Sequence, residues 1–133
     1  PDDATKSFYA GGVRGSKAYA EAHAKEISAL ILLDFVADRN LSLPREAGSD
    51  PALWARLRAA AQRVGSGSAF PATTMGEVLD DHTPFTRRGI PAIDLIDFTY
   101  PCWHKRCDDL RHVSRRSLDR TGEAVLGLLR TWR

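Results

Sequence analysis

The stretch SALILLDFVAD, residues 28–38, decides the fold. From Ala29 to Leu33 it is apolar without interruption. A strand with one wet face alternates apolar and polar residues, whereas an unbroken short run reads as a strand buried on both faces, as in a parallel sheet covered by helices. Asp34 closes the run. A second apolar stretch, IPAIDLIDF at 90–98, has the same character and predicts a second buried strand, whose AIDLI run is interrupted by Asp94. Helical patterns surround the two. SKAYAEAHAK, 16–25, is rich in helix formers and offers Ser16 as its N-cap. DPALWARLRAAAQRVG, 50–65, starts with a capping Asp50 and a first-turn proline, stops at Gly65, and lines up Leu53, Trp54, Leu57, Ala61 and Val64 on one side. DHTPFTRRG, 81–89, reads as a short helix ended by glycine. From Ser114 onward, Leu118, Thr121, Val125, Leu128, Leu129 and Trp132 recur at helical spacing. The segments 1–15, 39–49 and 66–78 read as loops. Helices alternating with buried strands predict an α/β fold with a largely parallel sheet.

That sheet directs attention to particular residues. Ligands of open α/β sheets bind outside the carboxyl ends of the strands. Asp34 sits at one such end, and the loop YPCWHKRC, 100–107, at the other, so Asp34 and the Trp103–His104 pair are placed to converge. Carboxylate and imidazole are the donors zinc uses when it keeps a coordination position open. The remaining histidines have plainer readings. His23 lies in a polar helix and His112 precedes a helix start; His82 sits in LDDHTPF. Of the adjacent Asp80 and Asp81, at most one faces a site while the other caps the short helix that follows; the plainer reading gives both to a turn and a helix N-terminus. Trp103 is large enough to wall an apolar pocket, and equally suits a core. Asp94, a carboxylate inside an apolar strand, requires a partner, because burying an unpaired charge is costly.

Composition sets the outer limits. The chain has 133 residues, enough for one domain, with 43% hydrophobic and 27% charged residues, so it builds a core. Nineteen basic against seventeen acidic residues leave a net charge of +2, too balanced to argue for nucleic acid or an anionic membrane surface. No apolar run approaches the ~18–20 residues of a membrane span, and no signal-peptide pattern is present. The first residue is Pro1 rather than Met, so a processed, truncated or excised chain is expected. Cys102 and Cys107 are the only cysteines. Their C-x4-C spacing does not suit a zinc knuckle. Two readings stand: a local disulfide, which belongs to an extracytoplasmic home, and two free thiols in the cytosol.

Three separated blocks, ALILLDFVADRNLSLPREAGSDPALW, LDDHTPFTRRGIPAIDLI and YPCWHKRCDDLRHVS, together resemble the zinc-dependent M28 peptidase family, which includes secreted aminopeptidases and glutaminyl-peptide cyclotransferases. The resemblance runs from about Phe8 to the C-terminus. It implies a three-layer α/β/α zinc-peptidase-like fold. It also implies roles. Asp34 matches a metal ligand of the two-zinc aminopeptidases and a catalytic acid of the single-zinc cyclases. His104 matches a metal ligand of both branches. Asp80 matches a catalytic aspartate of the cyclases, where aminopeptidases commonly carry Ser. Trp103 and Tyr100 fall in the substrate-binding loop, and a Trp before the ligand histidine is cyclase-like. Asp94 departs from the animal cyclases, which carry His there. The family's upstream histidine, bridging aspartate and Glu-Glu pair have no counterpart here, and Pro1–Asp3 resembles the loop that follows them. The resemblance therefore implies the C-terminal part of a catalytic domain, inactive by itself. It would share one or two zinc ions whose other ligands lie upstream of residue 1, in the N-terminal half of the same enzyme. A Cys102–Cys107 bridge would brace the loop presenting His104. The leading expectation is a secreted aminopeptidase acting on peptide or protein N-termini. The alternatives are a glutaminyl-peptide cyclotransferase and a non-catalytic binding module.

Overall fold

The computed structural model describes residues 10–132. Its elements follow in the order α1 (Arg14–His23), β1 (Leu30–Asp34), α2 (Pro51–Arg63), α3 (Thr83–Thr86), β2 (Ala92–Ile96) and α4 (Arg115–Leu129). Short 3-10 turns at Gly67–Ala69 and Leu110–His112 complete the list. β1 and β2 pair in parallel, from Leu30 opposite Ala92 to Asp34 opposite Ile96. Both strands thus end at one level, and the chain leaves the sheet at the same edge after each.

Helices cover both faces. On one side Ile93 and Leu95 of β2 pack with Leu53, Trp54, Leu57, Ala60 and Ala61 of α2 and with Ala124 and Leu128 of α4. Leu57 and Leu128 are fully excluded from solvent, each contributing on the order of 2 kcal/mol. The two helices approach closely because Gly127 has no side chain: a Cβ there would meet Val64 Cγ1 at 3.3 Å. On the other side Leu30 and Ala92 pack with Ala20 of α1, Phe85 of α3 and Ile90. The result is the expected three-layer α/β/α arrangement around a parallel pair.

The caps follow local chemistry. Asp50 precedes α2 and its carboxylate accepts from the Leu53 amide at 2.7 Å; Ser114 does the same for α4 through Ser117 at 3.3 Å. Other expectations need correction. β1 is not buried on both faces: Leu33 is 49% exposed, and the rest of the strand is half-buried. One edge of β1 is paired to β2, and the other has no strand beside it among the described residues. Helix α1 begins at Arg14, ahead of the expected Ser16 cap; Ser16 instead donates to Asp81 Oδ1 at 2.6 Å, tying α1 to the turn before α3. Neither Asp80 nor Asp81 caps α3, whose N-cap position is His82. On α2 the stripe turns toward Ala60, leaving Val64 38% exposed, and on α4 Leu118 and Leu129 face outward while Ser117 and Ala124 are buried. The match at Pro1–Asp3 and most of the expected first loop lie outside the described residues. Among those residues no helix is long and apolar enough to cross a membrane.

Candidate active site

The site grows from the shared carboxyl end of β1 and β2. Asp34 is the last residue of β1. The chain turns sharply after it, with Phe35 at φ 47°, a left-handed conformation that a bulky residue seldom adopts. Residues 37 and 38 are then sewn to the segment before α4: Ser114 N–H donates to Ala37 O at 2.8 Å and Ser117 Oγ to Asp38 O at 2.5 Å. After β2, fully buried Asp97 accepts from Ser42 N–H at 2.7 Å and from the Thr99 amide and hydroxyl, anchoring the start of the next loop. That loop carries Tyr100, Trp103 and His104. Cys102 and Cys107 are joined as a disulfide, so the local bridge, not the pair of free thiols, is the observed state. His104 sits inside this small ring with φ 53°. A strained non-glycine conformation persists only where its surroundings hold it, and here the bridge closes around it. The Trp103 and His104 rings stack at 4.5 Å, and Phe98 meets Trp103 edge-on at 5.3 Å.

Asp34, Asp80 and His104 come together. Burial lifts the Asp34 carboxyl above its ordinary range, the negative charge of Asp80 and a hydrogen bond to it lift it further, and the Phe35 amide and His104 pull the other way. Two carboxylates facing each other favour sharing a proton. Asp80 arrives from the turn before α3, where its amide donates to Thr83 Oγ1 at 3.2 Å and its Oδ1 accepts from Asp81 N–H at 2.6 Å. Trp103, 40% exposed, lies beside the group through its stacking on His104. Tyr100 is placed differently. It is nearly buried, donates its hydroxyl to Asp108 Oδ1 at 3.0 Å, and with Phe35, Ala37, Asp38 and His112 lines a separate cavity of about 60 Å³.

Behind Asp80 lies a cluster that sequence reasoning touched at two points without joining them. His82, 1% exposed, has Nε2 3.3 Å from Glu46 Oε2 and Nδ1 3.8 Å from Asp94 Oδ2. Asp94 thereby finds the partner its position required. Glu46, fully buried, was missed: it lies in the 39–49 loop, where nothing in periodicity marks a residue as interior. Its Oε1 accepts from the amides of Gly48 at 2.7 Å and Val78 at 2.8 Å, and its Oε2 from Ser49 Oγ at 2.9 Å. Burial alone would raise Glu46, but the His82 hydrogen bond, these amides and the hydroxyl outweigh it and hold the carboxyl at about 2. Burial pushes Asp94 up to about 7 against the pull of His82, with Asp80, Glu46 and Asp34 adding to the rise. His23 and His112, read as bland, pair locally with Glu26 at 3.1 Å and Asp109 at 3.4 Å.

The model of the family described as Peptidase family M28 matches residues 9–129. The chain belongs to that family. Among solved M28-like structures, the glutaminyl cyclase of an Acidobacteriales bacterium is 31% identical, with a TM-score of 0.80, over 89% of this chain and 45% of that one. A Zn-dependent exopeptidase from Parabacteroides distasonis is 25% identical, with a TM-score of 0.78, over 89% of this chain and 46% of that one. The glutaminyl-peptide cyclotransferase of Bos taurus is 40% identical over 45 residues, 33% of this chain and 12% of that protein. The chain thus spans a little under half the length of these solved structures. The M28 match brings zinc into question. Asp34 offers an oxygen donor and His104 a nitrogen donor, both types that zinc accepts, but a site with an open position needs three protein ligands. Among the described residues no group of three or more His, Cys, Asp or Glu side chains is arranged to hold a metal ion. The pair therefore fits zinc as part of a ligand set.

Proposed function

We propose that this chain is the C-terminal part of an M28 enzyme acting at peptide N-termini, and that its reaction is the cyclisation of an N-terminal glutamine. The observation that carries the reading is the Asp34–Asp80 pair, a carboxyl and a carboxylate in hydrogen-bonding contact at the strand ends. Cyclisation needs a proton moved between two nitrogens of one substrate. As the α-amine nitrogen bonds to the γ-carbonyl carbon, the pair takes the proton the amine loses. As the carbon–nitrogen bond to the amide group breaks, the pair returns that proton, and ammonia leaves. A carboxyl pair poised to share one proton suits both halves of that transfer. Trp103 offers a flat apolar wall for the glutamine side chain, and Tyr100 stiffens the loop from beneath through Asp108. Zinc, held by His104 with the remaining ligands from the upstream half, would supply positive charge to polarise the carbonyl. The disulfide supports an oxidising, extracytoplasmic compartment.

Aminopeptidase activity is the second reading. The likeness to a Zn-dependent exopeptidase favours it, as does the Asp94 carboxylate where cyclases of animals carry histidine. There Asp34 and His104 would only hold metal, the general base coming from the upstream half, and Asp80 would be dispensable. The deciding experiment gives the upstream-extended enzyme two peptides, one beginning with glutamine and one with leucine. Loss of ammonia from the first without cleavage, abolished by Asp80→Asn, is the expected result. Release of the first residue from either peptide, unaffected by Asp80→Asn, replaces the cyclase reading by the peptidase.

A further inference from the structure

The cluster behind Asp80 is built too fully to be incidental packing. Three ionisable side chains, Glu46, His82 and Asp94, are each 0–1% exposed and come from three different segments: the 39–49 loop, the turn before α3, and β2. A neutral imidazole has one donor, but both nitrogens of His82 face carboxylate oxygens, at 3.3 and 3.8 Å. A doubly protonated ring turns an N–H toward each, donating to Glu46 and facing the Asp94 charge at longer range. Glu46 is fixed by two amides and a hydroxyl besides the ring, so it stays ionised and opposite the ring. Gly48 is part of that fixing: a Cβ there would lie 3.1 Å from Glu46 Oε1, so the loop closes on the carboxylate only without a side chain. The Asp94 oxygens and His82 Nδ1 find no hydrogen-bond partner within normal distance and are shielded from solvent. Once Asp94 ionises, at about 7, an ion pair between them is the arrangement that leaves neither charge isolated. The groups facing the ring are Glu46, Asp94 and, from its own turn, Asp80; Asp34 acts on Asp94 from beyond.

We propose that Glu46, His82 and Asp94 form a buried positioning triad, an imidazolium held between two carboxylates, which fixes the turn carrying Asp80 and so presents Asp80 to Asp34. Its last step rests on the role given above to Asp80; the charge of the ring does not. Burial opposes that charge, and the Glu46 hydrogen bond and the Asp94 and Glu46 charges overcome it, raising His82 above the usual imidazole range. The ring touches no substrate in this scheme. It acts through Asp81, the one residue that separates it from Asp80.

The test starts with ¹⁵N NMR of the histidine rings in the full chain, which has only four to assign. His82 should show two protonated ring nitrogens at pH 7.5, where a free imidazole is about nine-tenths neutral. Glu46→Gln should weaken its proton affinity at least about tenfold, and Asp94→Asn by a smaller factor. Both variants keep side-chain size, and the wild-type spectrum needs neither. A neutral single tautomer in the wild type, or a titration unmoved by both variants, overturns the triad. The positioning step is read in the upstream-extended enzyme. Glu46→Gln should lower kcat about ten- to a hundredfold with KM within about twofold. A ring that loses its charge while kcat holds overturns the positioning role. If the extended enzyme shows neither cyclisation nor cleavage, the proposed function fails, and the NMR arm still decides the triad.

Discussion

Two pairs of carboxylates near enough to feel each other's charge are handled in opposite ways. Glu46 and Asp94 are fully buried and have an imidazole between them. Asp34 and Asp80 are half-buried and touch directly, with His104 to one side on a loop closed by a disulfide. Where burial is complete, the desolvation of the negative charges is offset from within the protein, by the cation between them, by hydrogen bonds to Glu46 and, below about pH 7, by a proton on Asp94. Where solvent reaches the pair, a proton and an external cation can share that task. The first arrangement is a fixture. The second leaves room for chemistry. His82, two residues from Asp80, belongs to the first pair, and so couples the two.

Removing one group from each pair should separate them most sharply. Glu46→Ala strands the His82 ring, the Ser49 hydroxyl and two amides, and should cost about 3–5 kcal/mol in denaturant unfolding. Asp80→Ala relieves a repulsion and should change stability by less than about 1 kcal/mol, while lowering kcat of the extended enzyme about a hundredfold or more. Equal losses of stability in the two variants would break the distinction.

The next effect is on the pH dependence of stability. His82 has its folded value raised above 6.5, so its contribution is complete below 6.5 and is lost as pH rises through the folded value. Asp94 ionises at about 7 instead of its ordinary 3.8, so the native state keeps a proton the unfolded chain has released, and stability falls as pH climbs across that window. Glu46 works the other way: held at about 2 rather than 4.5, it contributes above 4.5 and its contribution is lost as pH falls toward 2. Thermal unfolding should therefore show greatest stability in weakly acidic solution, declining toward neutral and alkaline pH. Asp94→Asn should flatten the decline between about pH 4 and 7; an unchanged profile would mean Asp94 is ionised throughout.

Opening the disulfide tests the other pair. Cys102→Ser with Cys107→Ser should cost about 2 kcal/mol for so short a loop. It should also weaken zinc binding by the extended chain, measured by competition with a chelating dye, because His104 loses the ring that holds its backbone. The smallest effect is expected for Trp103→Ala, whose side chain is 40% exposed: stability within about 1 kcal/mol, with KM for a glutamine-leading peptide raised. An equal rise for a leucine-leading peptide would show that the wall does not select.

Much of this was legible in the chain because it depends on near neighbours. Asp50 and Ser114 announce their helices through hydrogen bonds two or three residues away, and the two apolar runs announce strands by composition. Asp34 and His104 could be singled out because parallel strands present their carboxyl ends to one edge, a consequence of topology rather than of packing detail. The burial of β1 was misjudged for the same reason. An apolar run reports the environment for which a strand is suited, and Leu33 remains half-exposed because only one edge of β1 is paired among the described residues.

By itself, the sequence determined the α/β alternation, the cap of α2, the neighbourhood of Asp34, Trp103 and His104, and the oddity of Asp94. Each is written in spacing or in a short-range hydrogen bond. Only the tertiary structure decided which imidazole answers Asp94, that a glutamate from an unremarkable loop answers the same ring, and that Asp34 meets Asp80. These contacts join residues 12 to 46 positions apart: His82 with Asp94, Glu46 with His82 and Asp34 with Asp80. At such separations no local pattern selects a partner. The choice is made when the sheet closes and charge excluded from water must find its counterpart.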